Sequence, residues 1–267
     1  MDPTIGLYFG LIPTSVLAVM LGITLVYFAA TFSSRPPSDD PFFYQYYRWF
    51  VGPVTRALQA IGVTPNHITA FSLVLAVCAA TAIGLNHMML GVWLFVAAAS
   101  CDVMDGVLAR AMNAQSEQGA FFDSFVDRAA EGIIFGGFAY LGQGSFLTWI
   151  SMFAFGSSFL VSYARARGQS LGVDASMGPM QRPARLVAVL FATFFAAIGQ
   201  FIGTATAVAM GQLSIVVVIT AVALLSLFTA ARRVNAIMSA LAERQQSPNV
   251  VQAPTIIDTN AVLNEAA

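Results

Sequence analysis

Four aspartates carry the chemistry that this sequence offers. Asp102 and Asp105 are three residues apart and Asp123 and Asp127 four apart, all within CDVMDGVLARAMNAQSEQGAFFDSFVDR at 101–128. On a helix each spacing puts both side chains on one face. The polar run MNAQSEQG between the pairs reads as a turn, so two antiparallel helices would hold the four acids against each other. Unneutralised carboxylates in a low-dielectric site repel strongly. Bound divalent cation relieves that repulsion, and the stretch therefore predicts a metal site.

The elements that must position these acids are membrane helices. The chain of 267 residues is 58% hydrophobic and 9% charged, with a mean hydropathy of +0.75. A soluble domain carries about 25% charged residues, so this is an integral protein of the lipid bilayer, in the cell or inner membrane. The expected fold is an all-α polytopic membrane protein: a six-helix transmembrane core, one extra N-terminal transmembrane helix and a juxtamembrane amphipathic helix. Every one of the twelve basic residues is arginine, the net charge is −1, and no nucleic-acid partner is expected. Cys78 and Cys101 sit in apolar runs as packing residues, implying neither disulfide nor zinc. His67 and His87 have no ligand cluster around them.

In chain order, Ile5 to Phe32 is long and apolar enough to span, and residues 1–32 form the extra helix. MDPT lacks the positive start of a signal peptide. Residues 33–63 hold the linker SSRPPSDD and then an aromatic, arginine-bearing segment that reads as an interfacial amphipathic helix on the cytoplasmic leaflet. Thr64-Pro65-Asn66 opens the core domain, 64–236, with a capping residue and a first-turn proline. Core spans are expected at 66–85, 89–112, 119–142, 145–168, 183–203 and 211–234. Arg110, Arg128, Arg165, Arg167, Arg182, Arg185, Arg232 and Arg233 all fall toward one side, whereas the breaks LNHM, GQGS and GTATAVAMGQ contain no arginine. The positive-inside rule then gives an outside N-terminus, seven spans and a site facing the cytoplasm. Residues 237–267 read as a disordered cytoplasmic tail.

Written out, the central stretch is Asp102-x2-Asp105-Gly106-x2-Ala109-Arg110-x8-Gly119-x3-Asp123-x3-Asp127. This resembles, without a mismatch, the signature of the CDP-alcohol phosphotransferase family. The resemblance implies transfer of a phosphatidyl-type group from a CDP-linked lipid, such as CDP-diacylglycerol, to an alcohol, with release of CMP. It implies two divalent metal ions, Mg²⁺ or Mn²⁺, at Asp102, Asp105, Asp123 and Asp127, with Asp127 as the catalytic residue that takes the acceptor proton. By the same resemblance Asn66, Asp102, Gly106, Ala109 and Arg110 bind the CDP nucleotide, and the protein is a homodimer. Physically, Gly106 removes a side chain where a nucleotide must approach the helix, and Arg110 can fork pyrophosphate oxygens. Glu131, one turn beyond Asp127, either lines the site or offsets Arg128.

The acceptor is the less determined half. Ser162-Tyr163-Ala164-Arg165-Ala166-Arg167 and Gln181-Arg182-Pro183-Ala184-Arg185 are similar to the matching regions of phosphatidylinositol-phosphate and archaetidylinositol-phosphate synthases. That similarity implies a pocket for the phosphate of a soluble inositol phosphate, built from Ser162, Arg165, Arg182 and Arg185 with Arg232 or Arg233. Relatives often place lysine at Arg165, glutamate at Gln181 and an acid near Gly168-Gln169, so glycerol 3-phosphate, serine or another alcohol remain alternative acceptors. A cation transporter is the reading outside this class, and it leaves Gly106 and Arg110 without a purpose.

Overall fold

Helix boundaries in this chain follow from short polar breaks with defined caps. The computed structural model describes residues 56–246. The expected extra N-terminal helix, the linker, most of the amphipathic segment and the tail after 246 lie outside the described residues. Residues 56–60 are helical, and six full helices follow: α1 (Pro65–Gly84), α2 (Met88–Ala111), α3 (Glu117–Leu141), α4 (Phe146–Ser170), α5 (Arg182–Ile202) and α6 (Ala205–Gln246). Pro65 and Pro183 occupy the first turns of α1 and α5, where a missing N–H costs nothing. The Thr64 backbone N–H donates to His67 Nδ1 at 3.3 Å, which gives that histidine a capping role. Ser116 Oγ caps α3 by accepting from Gly119 N at 3.0 Å. Gly203, at φ 74°, ends α5.

Among the described residues five helices are long and apolar enough to cross a membrane: α1, α2, α4, α5 and α6. α3 is excluded by composition rather than length. Its 25 residues reach about 37 Å at 1.5 Å per residue, but it carries Asp123, Asp127 and Glu131. The expected six-helix core is therefore present. Its packing order, α2–α1–α3–α4–α6–α5 and back to α2, closes a ring. Large apolar side chains such as Phe121, Trp149 and Leu213 face outward, and Ser151, Ser158, Thr193 and Thr229 are buried.

Two sequence expectations need correction. The sixth span was expected at 211–234, but α6 runs from Ala205 to Gln246. At its start, GTATAVAMGQ holds no breaker after Gly203, and Gly211 lies flat on α5: a Cβ there would come within 2.7 Å of Ala196 Cα. At its other end, residues 237–246, expected as disordered tail, are helical. Ile237 is buried against Val173 and Ala175, and Arg244 donates to the carbonyls of Leu171 and Gly172 at 2.8 and 2.6 Å. Apolar burial and two charge-assisted hydrogen bonds hold this turn on the loop between α4 and α5.

Lipid is as apolar as leucine, so these helices associate through close packing at small residues. Gly137 on α3 is such a contact with α1: a Cβ would sit 2.5 Å from the Ala80 carbonyl oxygen. Gly137→Leu should destabilise the bundle by about 1–3 kcal/mol, as overpacking does, and lower the melting temperature in detergent. Gly136→Leu is the internal control, because a Cβ there meets nothing within 4 Å. Equal melting temperatures for the two variants would refute this account of the α1–α3 contact.

Candidate active site

The four aspartates arrive from two helices that α1 holds side by side, since α1 packs against both α2 and α3. Asp102 and Asp105 lie on α2, and Asp123 and Asp127 on α3. Asp102, Asp123 and Asp127 offer carboxylate oxygens that all lie within 4.8 Å of one another. Asp105 is held differently. It is buried, and its Oδ2 accepts from Thr69 Oγ1 of α1 at 2.5 Å. Thr69 also reaches the Pro65 carbonyl at 3.2 Å, so the start of α1 orients one acid of the motif. The structure thus unites three of the expected metal ligands and places the fourth one turn away on α2, clamped by a threonine.

A cation already stands among these acids. Arg182, the first residue of α5, donates from both terminal nitrogens to Asp102, at 3.2 Å to Oδ2 and 3.1 Å to Oδ1. The same Nη2 lies 2.5 Å from Asp127 Oδ1. That second contact is an ion pair without a directed hydrogen bond: Asp127 Oδ1 is buried with no hydrogen-bond donor, as is Arg182 Nε with no acceptor. Asp127 and Asp102 keep side-chain exposures of 12% and 22%, and Arg182 30%, so the arginine can leave without opening the core. A hard-oxygen donor set with an unsatisfied buried carboxylate oxygen fits Mg²⁺ or Mn²⁺.

Beside this cluster, Gly106 has the Arg110 guanidinium folded over it. A Cβ on Gly106 would lie 3.7 and 3.9 Å from the two terminal nitrogens of Arg110. Asn66 is exposed at the start of α1, its Oδ1 3.5 Å from where a Cβ on Gly119 would stand. Asn66, Gly106, Ala109 and Arg110 thus share the end of the bundle that holds the acids, with Arg110 exposed and Ala109 half-buried.

The basic residues expected around the acceptor do not form one open pocket. Arg185 is 1% exposed. Its Nε and Nη2 donate to Glu131 Oε1 and Oε2 at 2.6 and 3.0 Å, and Nη1 donates to the Met180 carbonyl at 3.0 Å. Arg185 is therefore paired inside the bundle rather than lining an open surface, and Glu131 offsets Arg185, not Arg128. Arg128 instead donates to the Ser124 carbonyl. Arg233, also buried, ties α6 to α4 through the Val161 carbonyl at 2.8 Å and to the α4–α5 loop through the carbonyls of Met177 and Ser176 at 2.8 and 3.2 Å. Arg232 lies over the Phe228 ring at 5.8 Å. Arg165 is exposed and Ser162 half-buried, both on α4. Arg182 alone of this set touches the acids.

The two ends of the bundle differ in charge. One end collects the acids and the arginines. At the other, Gln200 bonds the Asn86 carbonyl and Oδ1 at 2.9 and 2.8 Å, with no arginine in the turns 85–87, 142–145 and 203–204.

The chain is similar to known proteins in sequence and in fold. The phosphatidylinositol phosphate synthase of Streptomyces avermitilis is 44% identical over 105 residues, 38% of this chain and less than half, 43%, of that protein. The archaetidylinositol phosphate synthase of Methanothermobacter thermautotrophicus is 32% identical, over 54% of this chain and 71% of that protein. The phosphatidylinositol phosphate synthase of Cutibacterium acnes is 32% identical, over 57% of this chain and 77% of that protein. In fold, the chain matches the crystal structure of Mycobacterium tuberculosis phosphatidylinositol phosphate synthase with CDP-DAG bound. That match has a TM-score of 0.62 and 23% identity, covering 71% of this chain and 94% of that one. The structure of the same synthase with manganese and citrate matches with a TM-score of 0.62 and 22% identity, over 71% of this chain and 89% of that one. The family model described as CDP-alcohol phosphatidyltransferase matches residues 62–225.

Proposed function

Since the chain belongs to the CDP-alcohol phosphatidyltransferase family, we propose that it transfers a phosphatidyl-type group from a CDP-linked lipid to the hydroxyl of a soluble inositol phosphate, releasing CMP. One observation carries the proposal furthest: an arginine from α5 reaches into the three-aspartate cluster of α2 and α3. An acceptor that brings its own phosphate needs a cation beside the reacting centre, and Arg182 stands there. Relatives named as inositol-phosphate-lipid synthases support the same acceptor.

The residues then divide by role. The acceptor hydroxyl attacks the lipid-bearing phosphorus of the CDP-lipid, the bond to the bridging oxygen breaks, and CMP leaves with that oxygen. Asp127, at the centre of the cluster, takes the hydroxyl proton. Asp102, Asp123 and Asp127, with Asp105 one turn along, would hold the divalent ions. When bound, two such ions supply charge neutralisation to both the attacking and leaving oxygens. Arg110 and Asn66 hold the nucleotide, with Gly106 and Ala109 keeping the helix face low enough for it to approach. Arg182, Arg165 and Ser162, with Arg232 at the same end of α6, attract the acceptor phosphate. The arginine-rich end faces the cytoplasm by the positive-inside rule, so both water-soluble groups enter from there and the lipid tails from the bilayer. The proposal includes a homodimer, checked by the native mass of the protein in detergent.

The deciding experiment measures CMP release by the purified protein with CDP-diacylglycerol and Mg²⁺ or Mn²⁺. Inositol phosphate, glycerol 3-phosphate and serine are offered in separate reactions at equal concentration. Faster release with inositol phosphate than with the other two is expected. Release with another alcohol alone rejects the acceptor and keeps the reaction class. No release with any CDP-lipid, together with cation flux in vesicles, favours the transporter reading. The nucleotide side has its own prediction. Gly106→Val inserts two methyls under the Arg110 guanidinium, so KM for the CDP-lipid should rise by roughly tenfold or more with KM for the acceptor within a factor of about two. Equal rises in both would refute the placement of the nucleotide at Gly106.

A further inference from the structure

We propose that Glu131 is a positioning residue: through its ion pair with Arg185 it sets Arg182 in the cation position between Asp102 and Asp127. The inference rests on the reading that the aspartate cluster takes divalent cations, and it concerns how this chain manages the cluster before a metal arrives.

Glu131 lies four residues after Asp127, and Arg185 three after Arg182. On their helices each pair shares a face. Between α3 and α5 this makes two rungs, Asp127 with Arg182 and Glu131 with Arg185. The rungs are built for different tasks. In the inner rung both side chains are almost fully buried, 7% and 1% exposed. The two N–H···O bonds run in parallel, 2.6 and 3.0 Å, and the third side of the guanidinium is tied to the Met180 carbonyl. Its surroundings are Phe95, Ile134, Phe135, Leu186 and Val189, which offer no alternative partner to either charge. A buried pair of this kind breaks only at high cost, so this rung is fixed. In the outer rung Arg182 is partly exposed, leaves its own Nε unsatisfied and meets Asp127 without a directed hydrogen bond, its two hydrogen bonds going to the half-buried Asp102 of α2. That rung can exchange.

α5 packs beside α2 and α6 in the ring, so the fixed rung is a tie from α5 across to α3, and it holds the start of α5, from which the Arg182 side chain extends, at a set distance from the acids. From there Arg182 neutralises the acids when no metal is bound, and is released toward an incoming phosphate when a metal replaces it. Glu131 touches neither metal nor substrate in this account; it acts through Arg185 and Arg182.

The test replaces the inner rung by apolar residues of similar volume, Glu131→Leu with Arg185→Met, a change that buried ion pairs commonly tolerate in stability. Mn²⁺ dissociation constants are read from the electron paramagnetic resonance of free Mn²⁺ with purified protein, alongside the melting temperature. With Arg182 no longer held at the acids, Mn²⁺ should bind more tightly by about tenfold, as it should in Arg182→Gln. In the Arg182→Gln background the double replacement should add nothing, because both act on one residue. A folded double variant with unchanged Mn²⁺ affinity, or effects that add to those of Arg182→Gln, overturns the proposal. A purely structural role would lower the melting temperature and leave Mn²⁺ affinity unmoved. If the double variant does not fold, Glu131→Asp retains the charge and shortens the reach. It should tighten Mn²⁺ binding in wild type and not in Arg182→Gln, and no change in wild type overturns the proposal. Wild-type protein that binds no Mn²⁺ overturns both this inference and the metal site beneath it, whereas normal Mn²⁺ binding insensitive to Glu131 overturns the inference alone.

Discussion

Asp127→Asn is expected to reduce CMP release by roughly 10³-fold or more while leaving the protein folded. The substitution keeps the shape of the side chain and removes only its charge and basicity. General-base catalysis alone contributes about 10²- to 10⁴-fold. Asp127 is also one of the three residues whose carboxylate oxygens converge within 4.8 Å, so the same change removes an anionic donor from the proposed metal site. Arg182 keeps its two hydrogen bonds to Asp102, and the fold loses only the outer, partly exposed ion pair, so the melting temperature should move little. Measured in detergent with CDP-diacylglycerol, excess acceptor and saturating Mn²⁺, an Asp127→Asn enzyme with wild-type turnover would exclude Asp127 as the proton acceptor. Asp105→Asn makes an instructive companion. Asp105 is held by Thr69 and stands outside the tight cluster, so its loss reports whether the clamped acid also serves the metals.

Much of this site was legible because its signals are local. The i, i+3 and i, i+4 spacing of four acids on two helices requires only helical geometry, and the break between Ala111 and Glu117 fell where the polar run placed it. The core helices were legible because lipid imposes length and apolarity on every span. α3 shows the limit of that signal: its charges remove it from the apolar spans, and only its acids, read as a motif, mark it as part of the core. What the sequence hid depends on partners far apart in the chain. Thr69 meets Asp105 across 36 residues and Arg185 meets Glu131 across 54. A threonine in an apolar run or an arginine after a proline carries no mark of the residue it will meet. Similarity to inositol-phosphate-lipid synthases groups the arginines in one phosphate pocket. In space they separate into one that reaches the acids, Arg182, two that are internal, Arg185 and Arg233, and others nearer the surface. The extension of α6 was missed for the same reason, since its last turns are stabilised by Leu171, Gly172, Val173 and Ala175, residues that composition alone assigns to an ordinary loop.

Arg182→Gln should separate the two substrates more cleanly than any other single change. Glutamine retains polarity and much of the length but neither the charge nor the fork. A charge-assisted hydrogen bond contributes about 1.5–3 kcal/mol, so KM for inositol phosphate should rise by roughly 10- to 150-fold, with KM for the CDP-lipid nearly unchanged. At the same time the acids lose the cation that stands among them, and Mn²⁺ should bind more tightly by about tenfold. These opposite movements, a weaker acceptor and a stronger metal, are the signature of a residue that alternates between two partners. Arg182→Lys sharpens the distinction: it restores charge without the planar fork that matches both oxygens of Asp102. Lysine should therefore recover part of the competition with Mn²⁺ and little of the acceptor affinity. A residue that served only to balance charge at the membrane face would be replaced by lysine without loss. Wild-type acceptor KM in Arg182→Lys would thus remove Arg182 from the acceptor site and leave it as a counter-ion alone.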